Sequence, residues 1–296
     1  MTQLPTSSAR QYGTVFDEVA DEYDRIRPTY PDELVDRACR VAGLGAGDRV
    51  LEIGCGSGQL TRSLVARGLH VTALEPGQNL IALARQNLDG AEAVEFINAR
   101  FEDAPCPREH FRAVFSASAL HWVDPTVSWR KIADVLVPGG TLALISYLGL
   151  EEERSKHDQE AVLAAIRTVA PDIAAEWPTY RDLDATLAGV EQRRANVSAV
   201  WSWLGCYDLA QDYASGLFGE VQVAVLPRLV ELTADELNAV TRTMSFHARL
   251  SPDQRQALER ETGALYERLG RPIRASTVAT LVTTQRPVLV NLGQEK

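Results

Sequence analysis

Three glycines on alternate positions, Gly54-Cys55-Gly56-Ser57-Gly58, follow directly on the short apolar run Val50-Leu51-Glu52-Ile53. The run has the β-branched and leucine content of a buried strand. A helical pattern (Leu60, Leu64, Val65) begins as soon as the glycines end. A turn without Cβ atoms lets a ligand lie against the backbone. The helix that starts there leaves free N–H groups pointing into the turn. A strand, a glycine turn and a helix start in this order predict a seat for a nucleotide-like molecule.

The chain around this seat alternates. Strands are expected at 70–74, 93–97, 111–117 and 141–147, with helices at 77–88 and 127–137 and a turn at Pro138-Gly139-Gly140. Strands alternating with helices of 10–15 residues predict βαβ units and a parallel sheet covered on both faces, hence an α/β, Rossmann-like doubly wound fold. Ahead of the core, residues 1–30 read as an N-terminal lid segment or, alternatively, as a terminal helix that patches the core. Its stretch FDEVADEYDRIRPTYP carries Phe16, Tyr23 and Tyr30 among many charges. The core itself spans 31–150, with a first helix after Pro31 that stops at Gly43. Residues 151–205 read as a helical cap insertion, with helical stretches at 159–169 and 183–204. Residues 206–296 return to the sheet, with a helix at 208–215 and strands at 221–225 and 277–284. A second helical insertion falls at about 230–270, with capping-box starts at Thr233-x-x-Glu236 and Ser251-Pro252-Asp253-Gln254.

In doubly wound sheets ligands bind beyond the carboxyl ends of the strands. The glycine loop falls there, as do Glu75 after the second strand, Phe101-Glu102-Asp103 after the third, and Ser116 to Trp122 after the fourth. A carboxylate at the end of the second strand suits the two hydroxyls of a ribose, and Phe101 suits a flat base. A dinucleotide fingerprint needs a third glycine at position 59, where Gln59 stands, and this speaks against a nicotinamide-dependent oxidoreductase.

The chain carries a net charge of −10, and no Lys/Arg-rich cluster interrupts it. That argues against nucleic acid as the main partner and favours a small-molecule substrate. Cys39, Cys55, Cys106 and Cys206 form no C-x-x-C pair, and the histidines lack metal-ligand spacing, so no metal is expected. Met1 to Arg10 is polar and no apolar run approaches the ~20 residues of a membrane helix. A cytoplasmic protein without membrane contact is the expectation, its oligomeric state open.

Taken together, the residues 52–58, Leu74-Glu75-Pro76, Phe101-Glu102-Asp103, the fourth strand and Leu136-Val137-Pro138-Gly139-Gly140-Thr141 resemble the class I S-adenosylmethionine-dependent methyltransferases. The segments FDEVADEYDRIRPTYP and SALHWVDP resemble in particular the small-molecule branch related to trans-aconitate methyltransferase. The resemblance implies a seven-stranded sheet whose last strand is antiparallel, and S-adenosylmethionine as cofactor. It also implies site roles. Gly54, Cys55, Gly56 and Gly58 would lie at the methionine end, with Glu52 steadying the loop. Glu75, with Pro76, would hold the ribose, and Phe101 and Glu102 would frame the adenine. Ser116 or Ala117 would meet the amino group through backbone oxygen, and Tyr23 and Arg27 would close over the carboxylate. Arg100-Phe101-Glu102 departs from the small acidic or polar residue that many members carry there.

His121 is the candidate general base, since it follows the fourth strand, near the expected methyl group. The other reading of His121 is packing beside the cofactor. Trp122, Tyr147 and His247 are candidate walls of the substrate pocket. The expected activity is methyl transfer to a small organic molecule, a carboxylic acid or a natural-product scaffold. A cofactor-binding member of the fold that catalyses another reaction, such as a cyclisation, remains an alternative, as does a non-catalytic binding or regulatory protein.

Overall fold

The computed structural model describes residues 16–27, 29–205 and 212–288. Seven strands form one sheet in the order β3-β2-β1-β4-β5-β7-β6. They are β1 (Arg49–Ile53), β2 (His70–Leu74), β3 (Val94–Ile97), β4 (Phe111–Ala117), β5 (Leu136–Gly149), β6 (Gln222–Leu232) and β7 (Ile273–Gln285). Strands β1 to β5 pair in parallel, and β7 runs antiparallel to both β5 and β6. This is the seven-stranded arrangement with an antiparallel last strand that the resemblance implied.

Alternation along β1 sets the two layers. Leu51 and Ile53 point to one face, where Trp129, Ile132 and Val135 of helix α5 (Pro125–Val135) cover them. Val50 points to the other, against Leu34, Val35 and Ala38 of helix α2 (Asp32–Val41) and Leu60 and Leu64 of helix α3 (Gln59–Val65). Both faces are dry, as a parallel sheet requires. Asp124 starts α5 by accepting the Thr126 N–H, with Pro125 at the first helical position.

Four expectations need correction. Strand β5 begins at Leu136, not at Thr141, and Pro138-Gly139-Gly140 lies inside it: Phe111 pairs with Leu136 and Ala113 with Thr141, so the extra residues form a bulge. The stretch 183–204 is two helices, α8 (Leu183–Glu191) and α9 (Val197–Gly205). Asn196 ends the continuity by accepting the Ser198 N–H at 3.0 Å, a side-chain cap that competes with the helix. Residues 212–217 are turns rather than helix. The rest of the expected helix there, together with Cys206, Pro28 and the first 15 residues, lies outside the described residues. Strand β6 is also longer than expected and runs through Pro227, which its edge position permits.

Helices α6 (Glu153–Val169), α7 (Pro171–Ala175), α8 and α9 stand between β5 and β6. Helices α10 (Ala234–Arg242) and α11 (Pro252–Leu269) stand between β6 and β7, both opened by the expected capping boxes. The two groups share one apolar cluster, with Ile166, Ala170 and Ile173 against Leu250 and Leu258. Buried Asp158 of α6 anchors them to the sheet through two bonds to Arg271, 2.6 and 2.9 Å, and one from the Arg274 N–H at 2.8 Å. Among the described residues no helix is long and apolar enough to cross a membrane.

Candidate functional site

The carboxyl ends of β1, β2, β4 and β5 open into a cavity of about 980 Å³. Gly54, Gly56 and Gly58 all hold positive φ, at 73°, 55° and 88°. At Gly54 a Cβ would stand 2.4 Å from the Ala119 Cβ, and at Gly58 one would stand 2.7 Å from Leu88 Cδ1. Both positions therefore demand glycine for conformation and for space. The turn is held from beneath, since the Gly54 and Cys55 N–H groups both donate to the Leu74 carbonyl, at 2.9 and 3.0 Å.

Glu75 continues from β2 and is buried. Its carboxylate accepts the Gly56 N–H at 3.0 Å and the Gly77 N–H at 2.9 Å. It thereby ties the glycine loop to the start of helix α4 (Gln78–Asn87). Burial raises the Glu75 pKa, the two N–H bonds oppose that rise, and Asp17 adds to it. Asp17 caps α4 from the N-terminal segment, accepting the Asn79 and Leu80 N–H groups at 2.7 and 2.9 Å. Asn98 fixes the neighbouring backbone by donating to the Glu75 and Pro76 carbonyls.

Helix α1 (Ala20–Ile26) lies over the loop. The Tyr23 ring comes within 3.8 Å of where a Gly56 Cβ would be. Phe16 packs on Tyr23 and on Trp122, with ring centroids 5.5 and 5.8 Å apart, so aromatics of this segment reach the loop after β4. Gln59 donates to the Arg27 carbonyl at 3.2 Å. The Arg27 guanidinium donates to the Thr243 carbonyl, while its Nε is buried with no hydrogen-bond partner among the described residues. Tyr147 stacks on Tyr30 and donates to the Thr29 carbonyl at 2.7 Å.

The cavity wall brings together Tyr23, Arg27, Gly54, Gly56, Glu75, Pro76, Phe101, Glu102, Ala117, His121, Trp122 and Tyr147. Glu52, Cys55, Gly58 and Ser116 stand behind it. The Ser116 hydroxyl is buried and donates to the Ile53 carbonyl at 2.9 Å, so its side chain serves the sheet. Cys55 is buried too, its thiol directed at the Gly56 carbonyl. His247 does not line the cavity. It sits half-buried on the turn beside Phe246, where burial, Arg255 and Arg242 lower its pKa. Glu102 accepts the Asp124 N–H and pairs with Arg100, each at 2.9 Å.

Glu52 lies under the loop, accepting the Thr61 hydroxyl at 2.7 Å. Burial pushes its pKa up to about 7; the Thr61 bond opposes the rise and Glu75 adds to it. A carboxyl that holds its proton more tightly folded than unfolded stabilises the fold fully below its unfolded pKa, and that stability is lost as pH rises toward 7. Glu52→Gln keeps an acceptor for Thr61 without the charge. Its melting temperature is expected to match wild type near pH 4.5 and to exceed it by roughly 5 °C at pH 8, read by calorimetric melts across that range. Parallel curves would show that Glu52 is not protonated in the fold.

His121 faces the cavity with its ring 4.8 Å from that of Trp122. Burial, then the Arg27 charge, lowers its pKa to about 3, so the imidazole is neutral at ordinary pH. Among the described residues no His/Cys/Asp/Glu cluster could hold a metal.

Sequence reasoning placed the stretch 116–122 and the helical insertions at the pocket but did not single out Ser118 or the individual residues of the cap-side wall. Ser118 holds a left-handed φ of 52° at the exit of β4 and is hydrogen-bonded by Tyr30. Strained non-glycine residues of this kind cluster at functional sites, but nothing in the residue type announces them. The far half of the cavity is lined by Trp177, Tyr180, Arg181, Met244 and Phe246. Only tertiary packing brings these together.

Residues 51–144 match the family described as a methyltransferase domain. An uncharacterized methyltransferase of Mycobacterium tuberculosis is 36% identical over 140 residues, covering 47% of this chain and 55% of the relative. The demethylmenaquinone methyltransferase of Clavibacter sepedonicus is 32% identical over 143 residues, covering 46% and 58%. The chain thus spans little more than half the length of these curated relatives. Among solved structures, the YcgJ protein of Bacillus subtilis superposes with a TM-score of 0.51 at 16% identity, over 87% of this chain and 99% of the other, a likeness of fold. The match and the glycine loop coincide on one segment: over residues 51–144, where strands β1 to β5 fall almost wholly, the chain is similar to a methyltransferase domain.

Proposed function

We propose that this protein transfers a methyl group from S-adenosylmethionine to a small organic molecule, a carboxylic acid or a natural-product scaffold, by in-line displacement. The observation that carries this reading is one continuous cavity with the glycine loop at one end and an aromatic chamber at the other. Its volume of about 980 Å³ is at the upper end for a small-molecule site, room for a cofactor and an acceptor together.

The residues at the loop end fit the cofactor. Backbone at Gly54 and Gly56 lies open to a ligand, and the buried Arg27 Nε supplies an unused donor for a carboxylate. Glu75 keeps lone pairs beyond its two backbone bonds for ribose hydroxyls. Phe101 and Glu102 line the cavity where they would flank the base, and backbone oxygen at Ala117 would meet the amino group. When bound, the cofactor supplies an electrophilic methyl carbon on a sulfonium. Tyr23, Phe16 and Trp122 exclude water from that end, and the chamber wall aligns the acceptor. His121 takes the acceptor's proton if the nucleophile carries one.

Calorimetry with S-adenosylmethionine, S-adenosylhomocysteine and NADH, followed by product analysis over a panel of acids, phenols and amines, tests the reading. Binding of the first two and methylated product from one acceptor are expected. Binding of NADH alone would overturn it. Glu75→Ala is expected to weaken S-adenosylhomocysteine binding by about 1–3 kcal/mol; unchanged affinity would remove Glu75 from the ribose site.

A further inference from the structure

The arginines that line the cavity differ in what their guanidinium groups meet. Arg100 pairs with Glu102 at 2.9 Å. Arg249 holds both oxygens of Glu176, at 2.7 and 3.0 Å. Arg27 and Arg181 have no carboxylate partner among the described residues.

Arg27 belongs to the loop end, over Tyr23, and the proposed cofactor brings one carboxylate for it. Arg181 belongs to the cap. Its guanidinium carbon stands 3.7 Å from the centroid of the Trp203 ring, and its Nη1 donates to the Trp203 carbonyl at 2.9 Å. The indole is fixed in turn, with its N–H on the Thr186 carbonyl at 3.0 Å and Arg193 packed on the ring at 4.3 Å. A guanidinium locked on an aromatic ring loses little further freedom when it meets an anion, and its remaining N–H groups form a planar fork suited to a carboxylate. The chamber beside it is walled by Trp177, Tyr180 and Phe246, with Trp177 edge-on to Phe246 at 5.1 Å. Aromatic walls favour a flat apolar body.

We infer that Arg181 anchors the methyl acceptor, and that the acceptor is an aromatic or aryl-aliphatic carboxylate whose ring occupies the Trp177–Tyr180–Phe246 chamber. This rests on the methyl-transfer reading above and narrows its substrate class.

The test is calorimetry on the protein saturated with S-adenosylhomocysteine, using benzoate, cinnamate, 2-naphthoate and indole-3-acetate, each beside its primary amide. At least one acid is expected to bind tenfold or more tightly than its amide. Arg181→Gln should erase that preference with S-adenosylhomocysteine affinity unchanged, and Arg181→Lys should keep part of it. Equal affinity of acid and amide throughout the panel overturns the inference, as does a preference that survives Arg181→Gln. Should Arg181→Gln fail to fold, the acid–amide comparison in wild type and in Arg181→Lys decides alone. Failure of S-adenosylhomocysteine to bind overturns the methyl-transfer reading and this one with it. Its binding without any acid–amide preference overturns this one only.

Discussion

Gly54→Ala will lower the affinity for S-adenosylhomocysteine about 100-fold, with the chain still folded. A non-glycine residue at the observed φ of 73° costs about 1–2 kcal/mol. The new Cβ would also lie 2.4 Å from the Ala119 Cβ, closer than two carbon atoms can sit. The loop must shift, and its shift carries the Gly56 N–H away from Glu75, a bond of 3.0 Å that aligns loop and carboxylate together. The double variant Gly54→Ala/Ala119→Gly separates the two causes. Removing the Ala119 methyl relieves the clash and leaves the backbone cost, so roughly tenfold of the affinity should return. Titration of all three proteins reads both steps. No loss in the single variant would mean that the ligand does not lie on this backbone, and no recovery in the double would assign the loss to conformation alone.

The same loop shows why part of this molecule is legible in its sequence. Strands β2 and β4 have the expected limits because their apolar runs end where polar or turn residues begin. The glycine loop and Glu75 follow from the type of residue needed, a missing side chain and a carboxylate at a strand end. Strand β5 does not follow in the same way. Pro138-Gly139-Gly140 has turn composition, and only pairing with Phe111 and Ala113 turns it into a bulge. The Leu183–Glu191 and Val197–Gly205 pair reads as continuous because helical periodicity outweighs one capping asparagine. His247 falls in the same class of error. Its neighbours Phe246 and Arg249 reach the cavity and it does not, since a turn gives adjacent residues different directions. Arg181 leaves no trace in the sequence, because its proposed role depends on its packing against Trp203, 22 residues away in the chain.

His121→Ala is expected to lower kcat about 100-fold or more if the imidazole accepts the acceptor's proton. Its environment decides what kind of base it is. Burial, then the charge of Arg27, lowers its pKa to about 3, so it is neutral and ready to accept a proton over the whole ordinary pH range. The same shift makes it a weak base, able to take a proton only from a nucleophile that becomes acidic as its new bond forms. Two consequences follow for the pH profile of kcat. An acid limb governed by His121 should lie far below the 6.5 of an ordinary imidazole. Arg27→Gln, by removing one of the two causes, should move that limb upward at saturating cofactor. The stability of the fold carries the same sign: a histidine held neutral destabilises the folded state as pH falls from about 6.5 toward 3, and His121→Ala should flatten that part of the melting curve. A variant that loses the stability effect and keeps kcat would make His121 a wall of the cavity beside Trp122, with proton removal left to water. A variant that loses both places the imidazole on the reacting proton, because packing alone would change stability without moving the acid limb when Arg27 is neutralised.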